Sequence, residues 1–182
     1  MRKPLFVTAA TMLFAASISA QQNARPPRPD VPDNVTAEFD IVYSRVGQQS
    51  AMDVIRPKSA GPHPAIVAIH GGGFRAGSRN SYLPLCIKAK FDIDPALIGT
   101  TGGSAGGHLA LMLGLTGPLK IFEGSGPHLD TSSEVQAVVN YYGPVDFTQS
   151  YGKSVDAAQV LPLFLGGDLD HNRRIHVAAS PL

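Results

Sequence analysis

The feature that most constrains this fold is a run of four glycines around one serine at residues 102–107. Residues 102–106 follow the pattern G-x-S-x-G. An apolar stretch with strand character, residues 96–101, comes before it, and a helix-like stretch, residues 108–113, follows. A strand, a sharp glycine turn and a helix in this order are typical of a nucleophile elbow. Glycine has no Cβ and tolerates such a turn, so we predict that Ser104 is a nucleophile.

A second glycine turn lies upstream of this elbow. The continuous apolar run 64–69 predicts a strand buried on both faces of a parallel sheet. It leads into His70-Gly71-Gly72-Gly73-Phe74, where three successive glycines leave backbone amides uncovered by side chains. Taken alone, this stretch indicates only a tight turn. Together with the elbow, it favours a turn whose amides bind a developing negative charge, because the two features are halves of one site.

The paired motifs at 70–74 and 102–107 resemble those of the α/β-hydrolase superfamily. Within it they are similar to the esterase/lipase branch related to hormone-sensitive lipase and to bacterial feruloyl and acetyl-xylan esterases. The tract YYGPVDF at 141–147 resembles the strand that follows the nucleophile helix in that branch. The resemblance covers residues 38–182. It implies an α/β-hydrolase fold, in which a mostly parallel sheet is flanked by helices.

The resemblance also implies roles for individual residues. Ser104 would be the nucleophile, and the backbone amides of Gly72, Gly73 and Ala105 would form the oxyanion hole. His70 would orient the glycine turn and would not be the catalytic histidine. Neither a metal nor a cofactor is expected, since no His/Cys/Asp cluster has the spacing of metal ligands.

The sequence departs from the family pattern in two places. Between the motifs it predicts one helix, over residues 79–90, followed directly by the strand before the elbow. We therefore expect an internal β-α unit to be missing, with its junction at Lys90–Phe91, because each parallel crossover needs a dozen or more residues. After the nucleophile helix it predicts a strand over 133–142 and a short helix over 155–164, broken by Pro162. The C-terminal strands of the family, with the triad acid and histidine, are expected to be missing.

None of the downstream histidines is predicted to activate Ser104. One lies on the nucleophile helix and points along it, one lies in a loop, and two lie in a polar segment interpreted as solvated surface; in order these are His108, His128, His171 and His176. Asp146 is predicted to be a helix cap or loop ligand rather than the triad acid.

The composition is that of a globular domain: 43% of residues are hydrophobic, 16% are charged and the net charge is +1. This balance argues against nucleic acid or an anionic membrane surface as a main partner. The single cysteine, Cys86, is predicted to be a buried, inert thiol. Alternating residues at 39–44 and 52–56 predict a hairpin at the sheet edge.

Residues 1–20 have the pattern of a secretory signal peptide: Arg2 and Lys3, an apolar run, then small residues ending at Ala20. The segment is too short for a stable membrane span, although an uncleaved anchor is the alternative. Secretion or export to a periplasm is therefore expected. Residues 21–37 are predicted to be a flexible proline-rich lead-in, and residues 38–182 a partial α/β-hydrolase domain.

By resemblance, the function is that of a serine carboxylester hydrolase acting through a Ser104 acyl-enzyme. Its partner would be a small-molecule or carbohydrate substrate, either a short-chain acyl ester or a polysaccharide-linked ester. Two alternatives remain open from the sequence: a truncated, catalytically inactive α/β-hydrolase fragment, and a serine peptidase of the same fold.

Overall fold

The structure is a computed structural model of the 182-residue chain. It describes residues 27–45, 49–59, 63, 65–88, 97–119, 121–124, 129–130, 132–150 and 155–182. The predicted signal peptide, most of the lead-in, His128 and the Lys90–Phe91 junction lie outside these residues. No helix among the described residues is long and apolar enough to cross a membrane.

The predicted hairpin is present, as strands β1 (Val35–Ser44) and β2 (Ser50–Pro57). The two strands pair antiparallel. β1 begins at Val35, three residues before the predicted start of the domain at residue 38. Within the described residues the hairpin is a separate two-stranded sheet, so its predicted place at the edge of the main sheet is wrong.

The main sheet has three parallel strands, β3 (Ala65–Ile69), β4 (Ile98–Gly103) and β5 (Ala137–Tyr141), in the order β3-β4-β5. The register aligns the carboxyl ends of all three strands at one edge, because Ile69 lies opposite Gly102 and Gly103 lies opposite Tyr141. Residues that follow the strands therefore meet there. In open α/β sheets this edge is where ligands bind.

The prediction that β3 is buried on both faces is wrong. Ile66 and Val67 are 45% and 44% exposed. Ile66 and Val67 are successive residues and point to opposite faces of the strand, so neither face is fully covered at these positions. An apolar run predicts a buried strand only where other elements cover both faces.

Helices flank this sheet. In chain order the described helices are α1 (Leu83–Lys88), α2 (Ala105–Thr116), α3 (Phe147–Ser150), α4 (Val155–Leu165) and α5 (Leu169–Ala178). Short 3-10 turns at Arg79–Ser81 and Gly117–Leu119 precede α1 and follow α2. The helix predicted over 79–90 is thus confirmed in its described part, as a 3-10 turn and α1. On α1, Cys86 is half-buried, and burial raises the pKa of its thiol.

The predicted break of the C-terminal helix at Pro162 is wrong. Helix α4 continues through Pro162 to Leu165, and it ends at Gly166, whose φ of +75° suits a helix C-terminus. The segment interpreted as solvated surface is helix α5, most of whose residues are exposed, while His176 is buried. The Asp168 carboxylate caps it by accepting a hydrogen bond from the His171 amide at 2.9 Å.

The buried apolar cluster lies between the C-terminal helices and the turn after β3. It comprises Phe147, Ala157, Leu161 and Leu165, with Phe74 and Ala179 packed against it. Phe74 belongs to the glycine turn, so this cluster fixes that turn against α3 and α4. Helix α2 covers β4 and β5, and its Ala110 is fully buried.

Candidate active site

Ser104 lies at the tip of the turn between β4 and α2, as the elbow pattern predicts. Its backbone has φ 54° and ψ −123°, a strained conformation for a residue with a side chain. Two backbone hydrogen bonds hold Ser104 in this conformation. The Ser104 amide donates to the Tyr141 carbonyl at 2.9 Å, and the His108 amide donates to the Ser104 carbonyl at 3.1 Å. Ser104 is exposed, while Gly103 and Ala105 on either side are buried. The turn thus lifts one hydroxyl out of a packed surface.

The elbow glycines are required by close backbone contacts. A Cβ on Gly102 would lie 2.6 Å from the Ile69 carbonyl oxygen and would also meet the Gly106 carbonyl. A Cβ on Gly106 would meet the same Ile69 carbonyl. The elbow therefore packs directly on the end of β3, and a side chain at either position would separate them.

The glycine turn lies against the elbow. A Cβ on Gly71 would be 2.7 Å from the Gly103 carbonyl oxygen and 3.4 Å from the Ser104 Cβ. Gly72 and Gly73 have φ of 132° and 60°, values that L side chains rarely adopt. Gly71 of this turn thus lies against the elbow, Gly72 and Gly73 follow it along the chain, and Ala105 begins helix α2. Their assignment as oxyanion donors stays a prediction.

His70 stabilises the glycine turn by a hydrogen bond, in agreement with the structural role expected of it. Its Nδ1 donates to the Gly71 carbonyl at 2.9 Å. A Cβ on Gly77 would lie 2.7 Å from the same Nδ1, so the ring fills the inside of the turn.

Aromatic side chains connect the glycine turn to the helices. The Phe74 ring stacks on Phe164 of α4 with centroids 4.0 Å apart, and it meets His108 of α2 edge-on at 5.3 Å. The His108 ring also lies 4.4 Å from the ring of Phe147. In addition, the methyl groups of Val160 lie 3.7 Å from a Cβ placed on Gly73. Helix α4 therefore forms a wall beside the turn.

The histidines have the following places. His108 is buried beside Ser104's helix turn, where its Nδ1 donates to the Pro144 carbonyl at 3.0 Å, and burial lowers its pKa. His171 is exposed and pairs with Asp168 at 2.6 Å, which raises its pKa. His176, predicted to be solvated, is fully buried instead, and its Nδ1 donates to the Asn172 carbonyl at 3.1 Å. In the described part of the chain none of these rings bonds to Ser104.

Asp146 caps α3 as predicted. One carboxylate oxygen accepts hydrogen bonds from the Thr148 amide at 2.8 Å and from the Thr148 hydroxyl at 2.6 Å. No group of three or more His, Cys, Asp or Glu side chains suited to a metal ion occurs among the described residues.

Two tyrosines at the elbow were missed by sequence reasoning. The hydroxyls of Tyr82, before α1, and Tyr142, after β5, lie 3.2 Å and 3.0 Å from a Cβ placed on Gly103. Burial, together with the nearby Tyr142, raises the pKa of Tyr82. Only the β3-β4-β5 strand order brings these residues, sixty positions apart, to one glycine. In the sequence, the only indication of these neighbours was the glycine before Ser104, which leaves room for other side chains.

Comparison with known proteins agrees with this geometry. A family profile described as BD-FAE matches residues 86–182. A stretch of 56 residues is 46% identical to the probable carboxylic ester hydrolase LipM of Mycobacterium tuberculosis; it makes up 31% of this chain and 12% of that protein.

Solved structures share the fold. A bifunctional GH43-CE protein of Bacteroides eggerthii has a TM-score of 0.60 at 21% identity, over 84% of this chain and 29% of its own. Thermogutta terrifontis esterase 2 has a TM-score of 0.58 at 21% identity, over 87% and 70%. Esterase B of Lactobacillus rhamnosis has a TM-score of 0.54 at 19% identity, over 94% and 69%.

The chain thus spans 12% of LipM and 29% of the Bacteroides protein, so it corresponds to a limited part of each. The profile match, by contrast, covers more than half of this chain, including the elbow. This chain belongs to the BD-FAE family, an esterase/lipase-like family, and its three-stranded parallel sheet is part of an α/β-hydrolase fold.

Proposed function

We propose that Ser104 is the nucleophile of a serine esterase and that the amides of Gly72, Gly73 and Ala105 hold the oxyanion. The observation that carries this proposal is the exposed Ser104 hydroxyl, held on a strained backbone at the N-terminus of α2 and beside the glycine turn. A helix N-terminus and glycine amides both favour negative charge. Such charge develops on the carbonyl oxygen during acyl transfer.

The proposed reaction has two steps. Ser104 Oγ bonds to the acyl carbon and loses its proton to a base, and the alcohol then leaves with a proton as the carbonyl re-forms. Water repeats the sequence on the acyl-enzyme and releases the acid. The glycine turn would stabilise the oxyanion in both steps, since each passes through a tetrahedral intermediate.

The proposed substrates are short-chain acyl esters or esters linked to polysaccharide. The support is family membership and the name of one relative, a probable carboxylic ester hydrolase. Solved structures of similar fold include a carbohydrate esterase from gut microbiota and a propionate-bound esterase 2.

A fluorophosphonate probe tests the nucleophile. The probe should phosphonylate the full chain at Ser104, as located by peptide mass spectrometry, and labelling should be lost in Ser104→Ala. Ser59→Ala is the matched control, because the Ser59 hydroxyl is exposed and lies 3.3 Å from His63 Nε2. Labelling at Ser59, or equal labelling in Ser104→Ala, would refute the assignment.

A second candidate is a catalytically inactive fragment, favoured by the histidine positions. Ser104 needs a base to take its proton, and each described histidine bonds elsewhere. Loss of triad members costs several orders of magnitude in rate. If p-nitrophenyl acetate is hydrolysed equally by the wild type and Ser104→Ala, this candidate describes the isolated chain.

We also propose that the protein is exported. The support is the pattern of residues 1–20, a basic start, an apolar run and small residues at the end. N-terminal sequencing of protein secreted by an expressing cell tests this: Gln21 at the N-terminus is expected, and a retained Met1 would contradict it.

A further inference from the structure

One strained residue lies outside the site, in the hairpin. Four non-glycine residues in the described part of the chain have positive φ; three follow strands of the main sheet, and the fourth is Asp40 of β1, with φ 60°. Around it the strand pairing shifts, so that Phe39 and Asp40 lie opposite the single residue Asp53, as in a β-bulge. Bulges of this kind change the direction in which a side chain points.

The bulge places the Asp40 carboxylate between two arginines from distant parts of the chain. One of its oxygens accepts a hydrogen bond from Arg28 at 2.6 Å, and the other pairs with Arg79. The Asp40 amide donates to the Asp53 carboxylate at 2.8 Å, and the same Asp53 oxygen lies 2.8 Å from Arg79 Nε. The strained residue therefore binds Arg79 directly and also holds the second carboxylate that pairs with it.

The glycine turn is closed by its own backbone just before Arg79. The Arg75 and Ala76 amides both donate to the Gly72 carbonyl, at 3.3 Å and 3.0 Å. A Cβ on Gly77 would meet the Gly71 carbonyl, so the end of this segment packs on its beginning. Moving the end of the segment would therefore move the turn as a whole.

Arg79 controls where that end lies. Only Ser78, in an extended conformation with φ −152° and ψ 138°, separates Gly77 from Arg79. An extended residue transmits a displacement with little slack, because its backbone is already stretched. The ion pairs of Arg79 with the hairpin thus fix the glycine turn from outside.

We propose that Asp40 is a positioning residue: through Arg79 it holds the glycine turn in place and so directs the amides of Gly72 and Gly73. Oxyanion donors are effective when they are fixed before the reaction begins. The consequence for catalysis rests on the proposed function of that turn, whereas the holding of the turn does not.

Hydrogen–deuterium exchange on the full chain tests the proposal without turnover. It is read at the Arg75 and Ala76 amides, which close the turn. Asp40→Asn and Asp40→Gly both tolerate positive φ and remove the charge, and each is expected to speed exchange at these amides about threefold to tenfold. The Gln136 amide, which donates to the Ile98 carbonyl at the other end of the sheet, should change less, because opening of the turn does not expose it.

Two further variants separate this role from a general loss of stability. Glu38→Gln is the matched control, because Glu38 is on the same strand and its pair with Arg56 is exposed, and exchange should not change. In an Arg79→Met background, Asp40→Asn should add nothing, since Asp40 acts through Arg79. Unchanged exchange in both Asp40 variants, an equal increase at Gln136, or a full added effect in Arg79→Met would each overturn the proposal.

The rate of Ser104 labelling by the fluorophosphonate connects the turn to catalysis. Because oxyanion donors act on the transition state, Asp40→Asn should lower the limiting rate about threefold to tenfold and leave the half-saturating probe concentration unchanged. A raised half-saturating concentration at an unchanged limiting rate would contradict this role. Faster exchange in the Asp40 variants without labelling of the wild type would reject the esterase and keep the positioning role, and labelling with unchanged exchange would do the reverse.

Discussion

At the scale of single residues, contact distances decide which positions of the elbow accept a side chain. A Cβ on Gly106 would meet the Ile69 carbonyl, whereas a Cβ on Gly99, on β4, would have its nearest neighbour at 3.7 Å. Both residues are glycines near the same sheet. The pattern G-x-S-x-G already distinguishes them, and the distances supply the reason.

Gly106→Ala is therefore expected to lower the free energy of unfolding by about 1–3 kcal/mol, because α2 must move away from β3. Urea denaturation followed by circular dichroism measures the change. Gly99→Ala is the matched control, with an expected change below about 1 kcal/mol. Equal losses in the two variants would show that the elbow contact is not the cause.

His108 makes the stability of the folded protein depend on pH. Burial lowers its pKa below 6.5, so the folded state holds the neutral ring that donates to Pro144. As pH falls, His108 takes up its proton at a higher pH in the unfolded chain than in the folded protein. The stability contributed by the neutral ring is therefore present above pH 6.5 and lost as pH falls through the lowered pKa of the folded state.

The free energy of unfolding is expected to change by no more than about 1.4 kcal/mol per pH unit because of this one histidine. Urea denaturation between neutral and acidic pH measures it, and His108→Asn should flatten it. His171, whose pKa is raised by Asp168, acts with the opposite sign and at higher pH: its stabilisation is present below pH 6.5 and is lost as pH rises through its raised pKa, so His171→Asn should remove a loss of stability above pH 6.5. An unchanged slope in His108→Asn would contradict the assignment.

At the scale of elements, an ion cluster joins the two sheets. Arg79, in the 3-10 turn before α1, pairs through Nε with Asp53 of β2 at 2.8 Å and also contacts Asp40 of β1. The Asp53 side chain is only 3% exposed. The cluster therefore connects the hairpin to the 3-10 turn that precedes α1, and no described ladder pairs β2 with β3.

Arg79→Met should lower the free energy of unfolding by about 3 kcal/mol, since it leaves a buried carboxylate without its cation. Arg56→Met is the control, because the Arg56–Glu38 pair is exposed and is expected to contribute less than about 1 kcal/mol. Thermal or urea unfolding compares them. Adding Asp53→Asn to Arg79→Met should recover part of the loss; no recovery would show that the buried charge is not its origin.

At the scale of the whole molecule, the exposed β3 is the notable surface. Ile66 and Val67 lie on a strand whose free edge pairs with no described strand, and exposed apolar edge strands promote association between chains. We expect the purified chain to self-associate as its concentration rises. Val67→Lys should shift sedimentation toward the monomer, while Tyr43→Lys, exposed on β1, should not.

Local patterns predicted the elements well, and contacts between distant segments were harder to predict. The alternation in β1 and β2, the apolar runs of β3 and β4 and the position of α1 all reflect interactions within a few residues. The burial of His176 and the continuation of α4 through Pro162 depend instead on what packs against each helix. A polar segment such as α5 carries no local sign of the neighbours that bury its histidine.

By itself, then, the sequence determined the family, the strand–turn–helix unit at Ser104 and the glycine turn after His70. These follow from steric rules that act over a few residues, because only glycine fits where two backbones touch. The tertiary structure alone decided that β3 is exposed, that Arg79 links the sheets, and that Tyr82 and Tyr142 meet at Gly103. Each depends on contacts between segments that lie far apart in the sequence, which no local pattern predicts.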